Sequence, residues 1–352
     1  METDHRIETA DARELDLPEN SVDLVVTSPP YPMIEMWDGV FAELDPEIGE
    51  ALDAEDGDRA FKRMHDALDT VWERLSDVVV PGGIVCINVG DATRTLDRFR
   101  QYPNAAEITS RMREHGFDVL PDVLWRKPAN SAAKFMGSGM IPPNAYPTLE
   151  HESILVFRNG PRRSFEPGDD DRYESAYFWE ERNEWFSDLW EVTGTAQDVT
   201  AGLRERSGAF PVEIPLRLIR MFSVYGDTVC DPFWGTGTTT LAAMLAARNS
   251  VGYELDPAFR AAFEDRLDGL PARSRERARD RLAAHREWVR ARREAGEDVG
   301  YEAVHYDTAV RTKQERRVRL YAVEGVESTE VGYATTHAPF APDGSGVVTD
   351  RD

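Results

Sequence analysis

A short string near the N-terminus contains the residue types needed to hold a planar amine. It reads Thr27-Ser28-Pro29-Pro30-Tyr31 and ends an apolar, β-branched run that predicts a buried strand at 21–27. The two prolines lack the N–H of a central strand, so a stiff extended segment should follow. Its carbonyl groups, the Ser28 hydroxyl and the flat Tyr31 ring together suit an NH2 group on a planar ring. Taken alone, the string also fits a proline turn with a core tyrosine.

A second string, far along the chain, predicts a nucleotide-like cofactor. It reads Asp231-Pro232-Phe233-Trp234-Gly235-Thr236-Gly237-Thr238-Thr239. The flanking pattern predicts a strand at 228–231, a glycine turn, a helix at 238–248 and a strand at 250–254. Such a strand, turn, helix and strand form one βαβ unit, which places the turn at the carboxyl end of its strand.

The groups around this turn suit the parts of such a cofactor. Gly235 and Gly237 tolerate positive φ and let the backbone approach a ligand closely. The helix N-terminus at Thr238 and Thr239 offers free N–H groups for a carboxylate. Glu254 lies about twenty residues after the glycines, where an acid can accept both ribose hydroxyls.

A dinucleotide-binding fold is the main alternative for this unit. Two features of the sequence count against it. Thr240 stands where the third glycine of the fingerprint belongs, and the strand ends in Asp-Pro-Phe instead of glycine.

The two strings in this order resemble the permuted, beta-type class of S-adenosylmethionine-dependent DNA amino-methyltransferases. The resemblance spans roughly residues 5–265, and Asp11 matches a position that in this family lies near the adenine of the cofactor. The Ser-Pro-Pro-Tyr form is typical of N4-cytosine enzymes. The resemblance implies a Rossmann-like, mostly parallel seven-stranded sheet with helices on both faces, plus an inserted target-recognition region and a C-terminal helical appendage.

The implied chemistry is direct transfer of a sulfonium methyl group to an exocyclic amine. Hydrogen bonds from the amine to the Ser28 hydroxyl and the Pro29 carbonyl would hold it in line, Pro30 would stiffen the segment, and Tyr31 would stack on the base. The base must first leave the duplex stack. No cysteine nucleophile is needed, and Cys86 and Cys230 are expected to be core residues.

Three other functions stay open at this point. An N6-adenine enzyme of the same class differs in the first residue of the tetrapeptide, where Asp or Asn is typical. Glutamine-directed protein methyltransferases also use Pro-Pro-Tyr, although their cofactor unit comes first. An inactive DNA-binding module is the third alternative, but neither string is visibly damaged.

Target recognition is expected in the loop-rich stretch at 129–206. Its best candidates for DNA contact are Asn130, Lys134, Gly137 and Ser138. Most of the aromatic residues at 173–190 are expected to form a small core instead. The resemblance offers the palindrome CTAG as a candidate target, and a cognate restriction nuclease is a candidate partner beside double-stranded DNA.

The charge of the chain bears on DNA binding. The net charge is −24, with four lysines against 37 arginines, and only residues 260–320 are net basic, with 16 basic and 12 acidic side chains. This composition resembles that of proteins from salt-loving archaea. At molar salt the Debye length is about 3 Å, so long-range repulsion of DNA is largely screened.

Composition sets the remaining expectations. We expect a cytoplasmic protein without a membrane span, a signal peptide or a metal cluster. The oligomeric state is open, and the acidic stretch at 38–58 has no assigned role. The predicted divisions are a base-site half at 1–128, a target-recognition region at 129–206, a cofactor-binding half at 207–265, an arginine-rich helical region at 266–320 and a partly disordered acidic tail at 321–352.

Overall fold

One mixed β-sheet organises the chain. The structure, a computed structural model, describes residues 1–127, 136–137, 140–193 and 210–342. Ten strands of the described residues form this sheet in the order β10-β6-β9-β3-β2-β11-β12-β1-β16-β15, and six more make three small two-stranded sheets. The strands are β1 Glu2–Thr9, β2 Val22–Thr27, β3 Val79–Val89, β4 Ala92–Thr95, β5 Phe99–Tyr102, β6 Phe117–Arg126, β7 Met136–Gly137, β8 Ala145–Tyr146, β9 His151–Asn159, β10 Leu189–Trp190, β11 Thr228–Asp231, β12 Asn249–Glu254, β13 Tyr301–Glu302, β14 Ala309–Val310, β15 Tyr321–Ser328 and β16 Gly332–Pro339.

Helices cover both faces of the sheet. They are α1 Asp38–Leu44, α2 Pro46–Asp53, α3 Gly57–Val78, α4 Asn104–Glu114, α5 Asp170–Glu174, α6 Trp179–Trp185, α7 Glu213–Phe222, α8 Thr238–Ala246, α9 Ala258–Leu267 and α10 Leu270–Glu294. Strand β2 shows how the two layers are built, because its side chains alternate between the faces. Val25 packs in the core under α3, whereas Leu24 and Val26 pack in the core under α7 and α8.

The predicted fold class is confirmed, with a larger sheet than expected. Strands β3, β2, β11, β12 and β1 are parallel neighbours, and β9 is antiparallel to both β3 and β6. The seven strands from β6 to β1 match the expected number. Three further strands extend this set: β10 beyond β6, and the hairpin of β16 and β15 beyond β1.

That hairpin lies in the stretch expected to be an acidic tail. Strand β16 pairs antiparallel with β1, and the Thr3 hydroxyl bridges the buried His5 and His337 rings at 3.0 and 2.8 Å. The prediction followed the acidic composition of this stretch and did not use its alternating pattern, in which Tyr333, Thr335 and His337 are buried. The last dozen residues were expected to be disordered, and 343–352 of them lie outside the described residues. The predicted domain divisions stay a prediction.

The arginine-rich helix α10 packs against the body through one face. Ala278 and Leu282 join a core cluster with Phe178, which stacks on the His285 ring at 3.8 Å between centroids. Trp185 and Trp190 are buried as well, which agrees with the expected aromatic core at 173–190.

Two predicted helix details were wrong. The sequence predicts Asn104 as the cap of a helix that runs to His115, but Asn104 is the first residue of α4, and its buried side chain donates to the carbonyls of Pro32 and Gly90. Helix α8 ends at Ala246, two residues early, because Ala247 adopts a left-handed conformation with φ of 56°.

Candidate active site

The two strings meet at the carboxyl ends of neighbouring strands. Strand β11 lies directly between β2 and β12, with Val25 opposite Cys230. Just beyond this pair, the Thr27 hydroxyl donates a 2.7 Å hydrogen bond to the Asp231 carboxylate. The proline elbow after β2 and the glycine turn after β11 are therefore adjacent.

A cavity of about 700 Å³ opens between them. Its wall includes eleven of the predicted base-site and cofactor-site residues: Asp11, Ser28, Pro29, Pro30, Tyr31, Asp231, Pro232, Phe233, Gly235, Thr238 and Glu254. Sites for small ligands typically measure about 300–1,000 Å³. The cavity is therefore large enough for a nucleotide-like cofactor beside a planar base.

Gly237 and Thr239 lie behind this wall and act on the turn itself. Gly237 has φ of +71°, and a Cβ atom there would lie 2.4 Å from a ring carbon of Phe263. The Thr239 hydroxyl donates to the Val26 carbonyl at 3.1 Å, which ties helix α8 to strand β2. Gly235, with φ of +51°, is the glycine that faces the cavity.

The glycine turn is held by the acid that ends the next strand. Glu254 accepts hydrogen bonds from the backbone N–H groups of Gly235 at 2.8 Å and Asp256 at 2.9 Å. Burial raises the pKa of Glu254, although these N–H groups act in the opposite direction. From the other side, Arg266 donates to the Thr236 carbonyl at 2.6 Å.

Two further carboxylates differ in their surroundings. Burial raises the pKa of Asp231 to about 6, against the hydrogen bonds from the Thr27 hydroxyl and the Phe233 N–H. Burial would also raise the pKa of Asp11, but hydrogen bonds from Arg13 outweigh it and lower that pKa. Asp11 therefore meets the cavity as an ion pair, with 2.7 Å between Arg13 Nη2 and Asp11 Oδ2.

On the base side, a hydrogen-bonded cluster surrounds Tyr31. Its hydroxyl donates to Glu152 at 3.0 Å and lies 3.0 Å from the Ser28 hydroxyl. The Asn88 amide donates to the Tyr31 oxygen at 2.8 Å and to Glu152 at 2.7 Å. Lys127 donates to the other oxygen of Glu152.

The sequence analysis assigned no role to three members of this cluster, Glu152, Asn88 and Lys127. Glu152 and Lys127 line the cavity, and Asn88 stands behind them on β3. The signal that could have indicated Glu152 is the placement of its strand in the sheet. Glu152 lies at the start of β9, which runs antiparallel to β3, so its first residues lie at the same sheet edge as the ends of β2 and β3.

The acidic stretch at 38–58 builds the outer wall. It folds into α1, α2 and the start of α3, and Val40 and Leu44 line the cavity together with Trp37. Arg94 holds α1 in place through two hydrogen bonds to Asp38, of 2.8 and 2.6 Å. The stretch thus places two apolar residues, Val40 and Leu44, and one acidic residue, Glu43, on the cavity wall.

The predicted DNA-contact residues are described only in part. Asn130, Lys134 and Ser138 lie outside the described residues. Gly137 belongs to strand β7, which pairs with β8.

Other expectations concern cysteines, metals and membranes. Cys86 and Cys230 are buried core residues, as predicted, and burial raises the pKa of both thiols. Within the residues that the structure describes, no group of three or more His, Cys, Asp or Glu is arranged to hold a metal ion. In those same ranges, no helix has both the length and the apolar character needed to cross a membrane.

Comparison with known proteins decides the family. The family model of N6/N4 methyltransferases, described as DNA methylase, matches residues 22–265. The chain belongs to this DNA methylase family. The match covers both strings and most of the cavity wall, so the protein is a DNA methyltransferase whose cofactor is S-adenosylmethionine.

Individual relatives agree with this family. The DNA methylase is 47% identical over 328 residues to the type II methyltransferase M.MthZI of Methanothermobacter thermautotrophicus, covering 91% of each chain. It is 49% identical over 278 residues to the type II methyltransferase M.MjaI of Methanocaldococcus jannaschii, covering 75% of this chain and 91% of that one.

A solved structure supports the fold of the DNA methylase. The Thermus thermophilus protein TTHA0409, described as a DNA modification methylase and determined in complex with S-adenosyl-L-methionine, aligns with a TM-score of 0.59 at 33% identity. The alignment covers 77% of this chain and 94% of that one.

Proposed function

We propose that the protein methylates the N4 amine of a cytosine flipped out of double-stranded DNA. The observation that carries this proposal is the shared cavity, which has the Ser28 hydroxyl on one wall and the Gly235 turn on the other. A planar base held at Ser28 then faces a cofactor held at the turn. Such positioning replaces chemical activation of the amine.

The cofactor side of the cavity fits S-adenosylmethionine by its chemistry. Glu254 offers carboxylate oxygens to ribose hydroxyls, Asp11 and Phe233 line the wall for the adenine, and the α8 N-terminus at Thr238 suits the carboxylate of the methionine part. When bound, S-adenosylmethionine supplies an electrophilic methyl group on sulfur.

The base side orients the amine. The Ser28 hydroxyl and the Pro29 carbonyl accept its two N–H bonds, and Tyr31 offers its ring for stacking. Hydrogen bonds to Ser28, Asn88 and Glu152 fix the Tyr31 hydroxyl, so the ring holds one orientation. Base flipping costs a few kcal/mol, which stacking and hydrogen bonding at this wall would offset.

Nucleoside mass spectrometry of DNA treated with the purified protein and S-adenosylmethionine tests the proposal. We expect N4-methylcytosine, and the Ser28→Ala variant should form far less of it while still binding the cofactor. N6-methyladenine would replace the cytosine assignment with the alternative of the same class. Cofactor binding without methylation of any DNA would overturn the proposed function.

For target choice we propose the region 129–206, with Asn130, Lys134, Gly137 and Ser138 as contacts and CTAG as the target. Methylation-sensitive sequencing of DNA from a host expressing the gene reports base and target together. Methylation at another sequence would reject CTAG. Unchanged target choice in the Asn130→Ala and Lys134→Ala variants would reject these contacts.

The setting of the enzyme is proposed from the sequence. We propose that the domain order is permuted and that the protein works in the cytoplasm of a haloarchaeon. We also propose a cognate restriction nuclease as partner, because the curated relatives are type II methyltransferases. The net charge of −24 supports the salt-loving origin. A salt titration tests it, since activity that peaks in low salt and is lost at molar salt would reject a halophilic enzyme.

A further inference from the structure

A chain of hydrogen bonds links the proposed amine acceptor to a partly buried carboxylate. It runs from the Ser28 hydroxyl to the Tyr31 hydroxyl, over 3.0 Å, and from there to Glu152 Oε2, over another 3.0 Å. The Glu152 side chain is only 13% exposed, and Ser28, Tyr31 and Glu152 all line the cavity. Sequence positions 28 and 152 meet here because β9 begins at this edge of the sheet.

The direction of each hydrogen bond follows from the donors available. The Tyr31 hydroxyl has one proton, and an ionised carboxylate only accepts, so this proton points to Glu152. The Tyr31 oxygen must then accept from Ser28. Burial and the Glu152 charge raise the pKa of Tyr31 well above its ordinary value, so the hydroxyl is protonated before the reaction begins.

Asn88 fixes the same polarity from the side. Its amide NH2 donates to both the Tyr31 oxygen and Glu152. The reverse amide orientation would turn its carbonyl oxygen against the Glu152 carboxylate, which is unfavourable. The second Glu152 oxygen is held by Lys127, so both carboxylate oxygens have donors.

This polarity leaves the Ser28 oxygen, which lines the cavity and otherwise accepts only a long 3.5 Å contact from the Asn88 amide, able to accept from a ligand. A serine hydroxyl can donate or accept, and an amine N–H requires an acceptor. Because the Ser28 hydroxyl donates its hydrogen bond to Tyr31, Ser28 can only accept from the base. The carboxylate at the far end therefore sets what the hydroxyl offers to the base.

We propose that Glu152 is a positioning residue that acts through Tyr31 and also takes up the proton released by the amine; this inference rests on the proposed function. The amine nitrogen forms a bond to the methyl carbon while the S–C bond breaks. The electron pair of the S–C bond stays on sulfur, and the amine nitrogen then carries one surplus proton. That proton passes to Ser28 Oγ, the Ser28 proton to Tyr31, and the Tyr31 proton to Glu152. Each oxygen in the middle gains one proton and gives one up.

Single-turnover methylation rates across pH test the relay. Among the described residues, the titratable groups that face Glu152 are Lys127 and Tyr31. For the Glu152→Gln variant we expect a rate about 100-fold lower, within the usual range of general base catalysis. The fall of the rate toward acidic pH should also disappear, while the DNA KM and the cofactor Kd stay close to the parent values.

The Tyr31→Phe variant tests the middle of the relay while keeping the ring for stacking. It should lose rate to a similar extent, and the Tyr31→Phe and Glu152→Gln double variant should be hardly slower than either single variant, because both changes break one path. The matched control is Glu150→Gln, two residues away and 3.7 Å from Arg126, which should keep the parent rate and pH profile.

Three results would overturn the relay: a Glu152→Gln rate close to that of the parent, an unchanged pH profile, or rate losses that multiply in the double variant. Cofactor affinity, measured by calorimetry, shows that each variant is folded. Absence of DNA methylation by the parent protein is a separate result, which rejects the proposed function itself.

Discussion

The Thr27 hydroxyl and the Asp231 carboxylate form a 2.7 Å hydrogen bond between residues 204 positions apart. Both side chains are buried, with exposed fractions of 0% for Thr27 and 4% for Asp231. This bond joins the ends of strands β2 and β11 at the point where the cavity opens.

Replacing Thr27 with valine should therefore destabilise the protein. The change keeps the shape and removes one donor from a buried carboxylate, which costs about 1–3 kcal/mol. Urea unfolding measures the loss, and a double-mutant cycle with Asp231→Asn isolates the coupling between the two side chains. Thr336→Val, an exposed threonine on β16, is the control and should change stability little. A Thr27→Val protein as stable as the parent would contradict the structural role of the bond.

The raised pKa of Asp231 should make stability depend on pH. In the unfolded chain this carboxyl loses its proton near pH 4, whereas in the folded protein it keeps the proton to about pH 6. Between these values the folded state binds more protons, so the free energy of unfolding falls as pH rises. The total loss from this group is about 3 kcal/mol, at about 1.4 kcal/mol per pKa unit.

The Asp231→Asn variant removes this titration and tests its sign. Relative to the parent, the variant should gain stability between about pH 4 and pH 7 by about 3 kcal/mol. Urea unfolding of both proteins at the two pH values gives the comparison. An equal stability difference at both pH values would show that Asp231 does not titrate in this window.

Gly237→Ala should lower the free energy of unfolding more than Gly269→Ala, although both glycines have a similar positive φ. Both Gly237 and Gly269 have positive φ, of +71° and +67°, which costs alanine about 1–2 kcal/mol. A Cβ at 237 would also lie 2.4 Å from Phe263 and 2.6 Å from Trp234, whereas at 269 it meets nothing within 4 Å. We expect Gly237→Ala to lose about 1–3 kcal/mol more than Gly269→Ala in urea unfolding. Equal losses would mean that the two rings move aside freely.

Arg94→Gln should weaken cofactor binding through the outer wall. The variant loses the two-point contact with Asp38 that holds α1, and α1 carries the wall residue Val40. Isothermal calorimetry should show a cofactor Kd several times higher, with global stability changed by less than about 1 kcal/mol. The control is Arg98→Gln, in the turn between β4 and β5, where the side chain is 70% exposed. This variant should leave the cofactor Kd unchanged. A parent-like Kd in Arg94→Gln would show that α1 keeps its place without this contact.

Local sequence signals predicted much of the site. The β-branched run before Pro29, the positive-φ glycines at 235 and 237, and the acid at 254 each act within a few residues. Their effects depend on backbone sterics that every such segment shares. The strands and helix around the glycine turn were accordingly predicted close to their observed ends.

The tertiary structure alone decided which residues meet. Glu152, Asn88 and Lys127 surround Tyr31 because β9 runs antiparallel between β3 and β6, and that placement depends on contacts across the whole sheet. The composition likewise did not predict that α1 places Val40 and Leu44 on the cavity wall or that β16 pairs with β1. Residue types and local backbone preferences are encoded along the chain, whereas cavity walls and proton paths arise only when distant segments pack at one sheet edge.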